Sequence, residues 1–152
     1  MARSIKPREP EAAAAVDDTR LDEIRVLVVD DEPDAREVVS FLLEDRGAAV
    51  QTAASAEEAR SVVARLVPHV IVSDIGMPRE DGYSFIQSIR ALPHAKGGAV
   101  PAVALTAFTS PEDRRRALNA GFNKHLGKPV DPDELLSVVR ALANLPREDD
   151  AA

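Results

Sequence analysis

The amino-acid sequence predicts an α/β fold, a doubly wound parallel sheet with helices on both faces. Short apolar runs rich in β-branched residues alternate with stretches whose apolar residues recur at helical spacing, and this alternation occurs five times. Strands that alternate with helices pair in parallel, because each helix carries the chain back across the sheet. Eight such units would suggest a closed barrel, whereas five favour the open sheet.

The first two strand–helix units lie before Pro68, which breaks the second helix. Pro33 suits the first turn of a helix, and Gly47 is a typical helix end. Ser55 and Glu58 have the spacing of a capping box, so a second helix begins there. The predicted elements are strands over residues 24–29 and 48–53 and helices over residues 33–47 and 55–66.

The remaining three units follow the same plan. Residues 70–73 are apolar or small and lead into the single charge of Asp74, which Gly76 and Pro78 follow. Residues 93–98 are predicted to form a loop. The predicted strands cover residues 70–74, 100–105 and 122–126, and the predicted helices begin at Asp81, Ser110 and Asp131.

The two ends of the chain lack this periodic pattern. Residues 1–23 contain prolines, an alanine run and mixed charges, and residues 146–152 are mostly polar and acidic. Such segments bury too little apolar surface to fold. We therefore expect disordered tails over residues 1–23 and 146–152 and one folded domain over residues 24–145.

The composition fits a folded domain and excludes several functions. The chain has 152 residues, 45% of them hydrophobic, and a net charge of −7. This acidic balance argues against direct binding of nucleic acid. The absence of cysteine excludes thiolate catalysis and cysteine-based zinc sites. No apolar run reaches the roughly 18 residues of a membrane helix, so we expect a cytoplasmic protein without membrane contact.

Polar side chains follow four of the five predicted strands. The carboxyl ends of parallel strands meet at one edge of a sheet, so residues that are distant in sequence converge there. The polar residues at these strand ends are Asp30, Asp31, Asp74, Thr106 and Lys128.

This set of residues predicts phosphoryl transfer. Crowded carboxylates repel one another, and a hard divalent cation such as Mg²⁺ relieves that repulsion. Asp74 can then attack phosphorus as a carboxylate nucleophile. Lys128 supplies positive charge for the phosphoryl oxygens, and the Thr106 hydroxyl can donate a hydrogen bond to one of them. Each residue alone has an ordinary structural explanation, but their complementary chemistry favours a site.

The sequence resembles the receiver domain of two-component response regulators, of the chemotaxis-regulator type. The resemblance covers about residues 24–145 and depends on segments that match the family's motifs. These segments are residues 28–33, Asp74 with residues 77–78 and 81–82, residues 105–107, residues 120–122, and residues 128–129. It implies a flavodoxin-like sheet of five strands in the order 2-1-3-4-5, with five helices.

The resemblance also implies roles for individual residues. Asp74 would be the phosphoacceptor, and Asp30, Asp31, Asp74 and the backbone carbonyl of Gly76 would surround Mg²⁺. Thr106 would act in the conformational switch and Lys128 in phosphate contact. The Lys128–Pro129 bond would be cis. The phosphoryl donor would be a histidine kinase or a histidine phosphotransfer domain.

One position departs from the family pattern. Family members often have Tyr or Phe three residues before the lysine, where this chain has His125. His125 is either an ordinary strand residue or part of the switch, and in the second case an imidazole there would add sensitivity to pH. We expect His69 and His94 to be structural or solvated.

The triplet Arg114, Arg115 and Arg116 lies early in the predicted fourth helix. A solvated helix face explains it, although in receivers the face of the fourth helix, fifth strand and fifth helix commonly contacts partners. A homodimer through this face is one such contact. Two positions, Gly76 and Phe108, would tune the access of water to an acyl phosphate.

The sequence leaves two other functions open. A small Mg²⁺-dependent phosphatase could use the same nucleophile, although such enzymes usually have both acids on one strand. A non-phosphorylated interaction domain could have the same fold. Within the leading hypothesis, the chain is a stand-alone regulator or the receiver part of a hybrid sensor kinase, and it catalyses only its own phosphorylation and dephosphorylation.

Overall fold

The computed structural model describes residues 20–145 as one sheet surrounded by helices. The strands are β1 (Arg25–Val29), β2 (Ala49–Ala53), β3 (Val70–Asp74), β4 (Ala102–Thr106) and β5 (Lys124–Gly127). The helices are α1 (Pro33–Glu44), α2 (Ala56–Arg65), α3 (Gly82–Arg90), α4 (Pro111–Ala120) and α5 (Pro132–Ala143), with a 3₁₀ turn at His94–Lys96.

All strand pairs are parallel, and the strand order is β2-β1-β3-β4-β5. The predicted fold class, strand order and number of helices are confirmed. Val29 is paired with Ser73, Asp74 with Leu105, and Thr106 with Gly127. The register therefore brings the carboxyl ends of four strands to the same edge of the sheet.

Two apolar layers hold the helices against the sheet. On one face Val63 of α2 and Phe85 of α3 are fully buried, and on the other face Leu43 of α1 and Leu135 of α5 are fully buried. The central strands β3 and β4 bury all of their residues, as expected for parallel strands covered on both sides. The strand ends are therefore held rigidly from both faces.

Local capping signals produce the helix starts that the sequence predicts. The side chains of Ser55, Asp81, Ser110 and Asp131 accept hydrogen bonds from backbone N–H groups in the first turns of their helices. Helix α1 has no side-chain cap, and Pro33 occupies its first position, where no N–H needs a partner.

The fifth strand begins later than predicted. The N–H of Phe122 bonds to the carbonyl of Ala117 at 3.1 Å, and its ring is buried, so this residue closes α4 instead of opening β5. Asn123 then lies beside the start of β4, because its N–H donates to the carbonyl oxygen of Ala102 at 2.8 Å. The predicted loop over residues 93–98 contains the 3₁₀ turn.

The folded domain begins before residue 24. Leu21 is fully buried between α1 and α5, and its N–H bonds to the carbonyl of Arg46 at 2.7 Å. Arg140 of α5 donates to the carbonyl of Arg20 at 2.6 Å. The assignment of residues 20–23 to a disordered tail is therefore wrong. The rest of the two predicted tails, residues 1–19 and 146–152, lies outside the described residues.

No helix within residues 20–145 is long and apolar enough to cross a membrane.

Candidate functional site

Three carboxylates meet at the carboxyl edge of the sheet. Asp30 and Asp31 follow β1, Asp74 ends β3, and one carboxylate oxygen of each lies within 4.8 Å of the other two. Asp30 and Asp74 are buried, and Asp31 is half-buried. The Glu32 N–H donates to Asp30 Oδ1 at 2.9 Å, which fixes that carboxylate.

Lys128 reaches this acidic cluster from the end of β5. Its Nζ lies 3.1 Å from Asp74 Oδ1 and 3.3 Å from Asp30 Oδ2. The Lys128 N–H donates to the carbonyl of Thr106 at 2.9 Å, which attaches the lysine backbone to β4. The Lys128–Pro129 bond is cis, as predicted. A single ammonium thus faces two buried carboxylates.

Burial and the neighbouring charges together shift the pKa values of Asp74 and Lys128. Burial raises the pKa of Asp74, and the Asp30 charge raises it further, against the opposing effect of Lys128 and the Ile75 N–H. Burial alone would lower the pKa of Lys128, but the charges of Asp30 and Asp74 outweigh that effect and raise it. The lysine therefore remains charged, while the cluster has an excess of negative charge.

The donor set fits a hard divalent cation. Three carboxylates and one lysine leave the cluster with a net negative charge. The carboxylates offer only oxygen atoms as metal ligands, and oxygen is the ligand atom that Mg²⁺ prefers. Gly76 lies in the exposed loop after β3, and a Cβ built on it would meet no atom within 4 Å. There is thus open space beside the phosphoacceptor candidate.

The Thr106 side chain is connected to His125 through the backbone of Phe108. The Phe108 N–H donates to Thr106 Oγ1 at 3.0 Å, and His125 Nε2 lies 3.2 Å from the Phe108 carbonyl oxygen. Because a carbonyl oxygen only accepts, the His125 Nε2 must carry the proton in this contact. Thr106 is buried, whereas Phe108 is 66% exposed.

The arginine triplet lies away from the acidic cluster. Arg114, Arg115 and Arg116 are exposed on α4, which buries only Ala117. The Arg116 guanidinium lies 4.1 Å from the centre of the Tyr83 ring, and Arg115 and Arg116 line a cleft of about 600 Å³ between α3 and α4. The structure therefore does not bring the triplet into contact with the carboxylates.

Sequence reasoning missed one residue that contacts the cluster. Arg36 of α1 donates from Nη1 to the backbone carbonyl of Asp30 at 2.7 Å. The position of Arg36, shortly after the acidic pair in the sequence, is the only sequence signal for this contact. His69 accepts the Arg25 N–H at Nδ1, 2.8 Å away, far from the acidic edge, and His94 lies in the 3₁₀ turn.

A doubly wound sheet with this acidic edge is typical of a signalling receiver, and comparison with known families agrees. The family model described as "Response regulator receiver domain" matches residues 26–140. The chain therefore belongs to the response regulator receiver domain family, whose members act in two-component signalling and generally bind Mg²⁺ at an acidic pocket.

Two similar proteins illustrate this membership. An uncharacterized 14.6 kDa protein of Leptolyngbya boryana is 49% identical over 120 residues, which cover 79% of this chain and 90% of that protein. Response regulator Rre1 of a Synechocystis species is 43% identical over 78% of this chain and 51% of its own length. The chain thus spans about half the length of that regulator.

A solved structure gives the same match in three dimensions. It is the receiver domain of a sensor histidine kinase from Pseudomonas aeruginosa, with a magnesium ion coordinated in its active site cleft. It is 32% identical, has a TM-score of 0.73, and covers 80% of this chain and 98% of that one.

Proposed function

We propose that Asp74 is the phosphoacceptor of this receiver and that a histidine kinase or a histidine phosphotransfer domain is the donor. The observation that carries the proposal is the contact of Lys128 Nζ with both Asp74 and Asp30 inside a three-carboxylate cluster. A lysine held at the acceptor can follow the phosphoryl oxygens as they arrive. Nothing in an ordinary helix cap or turn needs this combination.

The two oxygens of Asp74 have different surroundings. Oδ1 accepts from the Ile75 N–H at 2.9 Å and contacts Lys128. Oδ2 accepts no hydrogen bond from any of residues 20–145, so it is the oxygen free to attack. It forms the new P–O bond while the P–N bond of phosphohistidine breaks, and the imidazole leaves with that electron pair.

Mg²⁺ would be held by Asp30, Asp31, Asp74 and the Gly76 carbonyl, and when bound it would neutralise charge on the phosphoryl oxygens. Water later attacks the acyl phosphate at phosphorus and restores the Asp74 carboxylate. The chain thus catalyses only its own phosphorylation and dephosphorylation, and Gly76 and Phe108 tune the access of water.

The switch runs through Thr106. A hydroxyl has one proton to donate and two lone pairs, so Thr106 can donate to a phosphoryl oxygen while Oγ1 still accepts the Phe108 N–H. A movement of Thr106 then displaces Phe108 and its contact with His125. The loop that moves leads directly into α4, whose cap is Ser110. Partner binding would change at the face of α4, β5 and α5.

Uptake of phosphate from acetyl phosphate, followed by intact mass, tests the proposal. We expect one phosphoryl group on the parent chain with Mg²⁺, none on Asp74→Asn, and none without Mg²⁺. A phosphatase would instead release phosphate from many esters, and a non-phosphorylated interaction domain would take up nothing. Either of those results would overturn the proposal.

Association of two copies through the α4–β5–α5 face is a second part of the proposal. Arg114 and Arg115 are exposed on α4, and their charge is opposite to that of the acids that begin α5. Charge reversal at both arginines should abolish any association that phosphorylation induces, and unchanged association would rule this contact out. The net charge of −7 supports a protein partner over nucleic acid.

A further inference from the structure

We infer that the ion pair of Arg60 with Glu80 is a positioning device for the loop that follows Asp74 and carries Gly76. This inference rests on the proposed function, because it assigns these two residues a role in holding the Mg²⁺ site. Arg60 lies on α2 and Glu80 in the loop between β3 and α3, so the pair joins two separate elements.

The base of this loop is closed tightly against the acceptor. The Gly82 N–H donates to the Ile75 carbonyl at 2.8 Å, which joins the two ends of the loop. A Cβ built on Gly82 would lie 2.5 Å from the backbone oxygen of Asp74. The first residue of α3 is therefore packed against the backbone of the phosphoacceptor. A shift of the loop would displace that backbone.

The tip of the loop has a strained backbone. Arg79 has a φ of 69°, and the Glu80 N–H donates to the Pro78 carbonyl at 2.7 Å, so these three residues form a γ-turn with a left-handed central residue. A non-glycine residue in this region persists only where its surroundings hold it. The tip thus requires an external attachment.

The Glu80 carboxylate provides this attachment. Arg60 Nη1 lies 2.7 Å from Oε2 and Nη2 lies 2.9 Å from Oε1, a two-point contact, and Ser84 Oγ donates to Oε2 at 3.2 Å. The hydrogen bond from Arg60 holds the pKa of Glu80 below its usual range. The pair is therefore ionised at neutral pH and fixes the loop tip to α2.

Gly76 lies between the closed base and the attached tip, with Met77 buried beside it. Loss of the ion pair leaves the base intact but frees the strained tip, so the Gly76 carbonyl is held less well. Both side chains of the pair are about one-third exposed, so the effect is modest. We expect the dissociation constant for Mg²⁺ to rise about two- to five-fold.

Titration of ¹⁵N-labelled protein with Mg²⁺, without a phosphodonor, tests this inference. Arg60→Ala, Glu80→Ala and the double variant should show the same two- to five-fold loss of affinity, because the residues act as one unit. Arg60→Lys keeps the charge but not the two-point contact, and should lie between these variants and the parent. Arg65→Ala removes an exposed arginine from the same helix and should bind like the parent.

Two results would overturn the inference. One is unchanged Mg²⁺ affinity in Arg60→Ala, and the other is a double variant that loses the sum of the two single effects. The amide spectra show whether each variant is folded. A parent chain that binds Mg²⁺ but takes up no phosphoryl group would contradict the proposed function, while the Mg²⁺ affinities of the variants would still decide this inference.

Discussion

At the scale of single residues, the environment of Asp74 disfavours the charged form of its carboxylate. Burial and the Asp30 charge raise its pKa, so ionised Asp74 is less stable in the folded chain than in the unfolded one. This cost is absent below the ordinary titration range of aspartate and is complete above the raised pKa of Asp74. Folding stability contributed by this residue therefore falls as the pH rises.

We accordingly expect Asp74→Asn to raise the free energy of unfolding at neutral pH in the absence of Mg²⁺. Urea denaturation of parent and variant between about pH 4 and pH 8 measures the difference. The gain should grow as the pH rises, and Mg²⁺ should reduce it by stabilising the parent. A variant that is equally stable or less stable at neutral pH would contradict this reasoning.

His125 has a defined contact that a simple surface residue would not need. Its hydrogen bond to the Phe108 carbonyl is worth about 0.5–1.5 kcal/mol, so its loss should loosen the loop before α4. We expect His125→Ala to leave the rate of phosphorylation unchanged and to weaken the amide shift changes that beryllofluoride causes in α4. Lys124→Ala, on the same strand and exposed, is the control.

An α4 response in His125→Ala equal to that of the parent would assign His125 to the ordinary strand surface. The sequence could identify His125 as a departure from the family pattern. It could not predict the Phe108 contact, because that contact depends on the register in which His125 lies opposite Ala104. The strand-end residues were predictable, since alternation alone determines which strand ends share an edge.

At the scale of elements, α4 buries fewer of its residues than any other α-helix of the described chain. It buries only Ala117, and Arg116 contacts the Tyr83 ring of α3. Such a contact at an exposed site contributes about 0.5–1 kcal/mol. Arg116→Ala should therefore speed amide hydrogen exchange in α4 about two- to five-fold and leave α5 unchanged.

Arg114→Ala, on the same helix and also exposed, is the matched control for this measurement. Equal exchange in Arg116→Ala and Arg114→Ala would show that the ring contact does not restrain α4. Helix starts such as Ser55 and Ser110 were predictable because capping is local in sequence. The start of β5 was not, because the burial of Phe122 against α4 is a tertiary effect.

At the scale of the whole molecule, the hydrophobic core contains a residue that lies outside the domain predicted over residues 24–145. Leu21 is fully buried in the layer under α1 and α5. Its hydrophobic neighbours in sequence have no helical or strand period, so only the tertiary structure reveals that it belongs to the core. The family match also begins later, at residue 26.

We expect Leu21→Ala to lower the free energy of unfolding by about 2–5 kcal/mol, the range for truncation of a buried leucine. Leu145→Ala, at the other end of the described chain and 44% exposed, should cost less than about 1 kcal/mol. Urea denaturation measures both. A Leu21→Ala chain as stable as Leu145→Ala would mean that residues 20–23 do not close the core in solution.

The central claim is that Asp74 carries the phosphoryl group, and chemical mapping of the acyl phosphate tests it most directly. After incubation with acetyl phosphate and Mg²⁺, borohydride reduces an aspartyl phosphate to homoserine, which peptide mass spectrometry locates in the chain. We predict homoserine at residue 74 and at no other aspartate. Homoserine at Asp30 or Asp31, or unmodified aspartate at all three positions, would contradict the assignment.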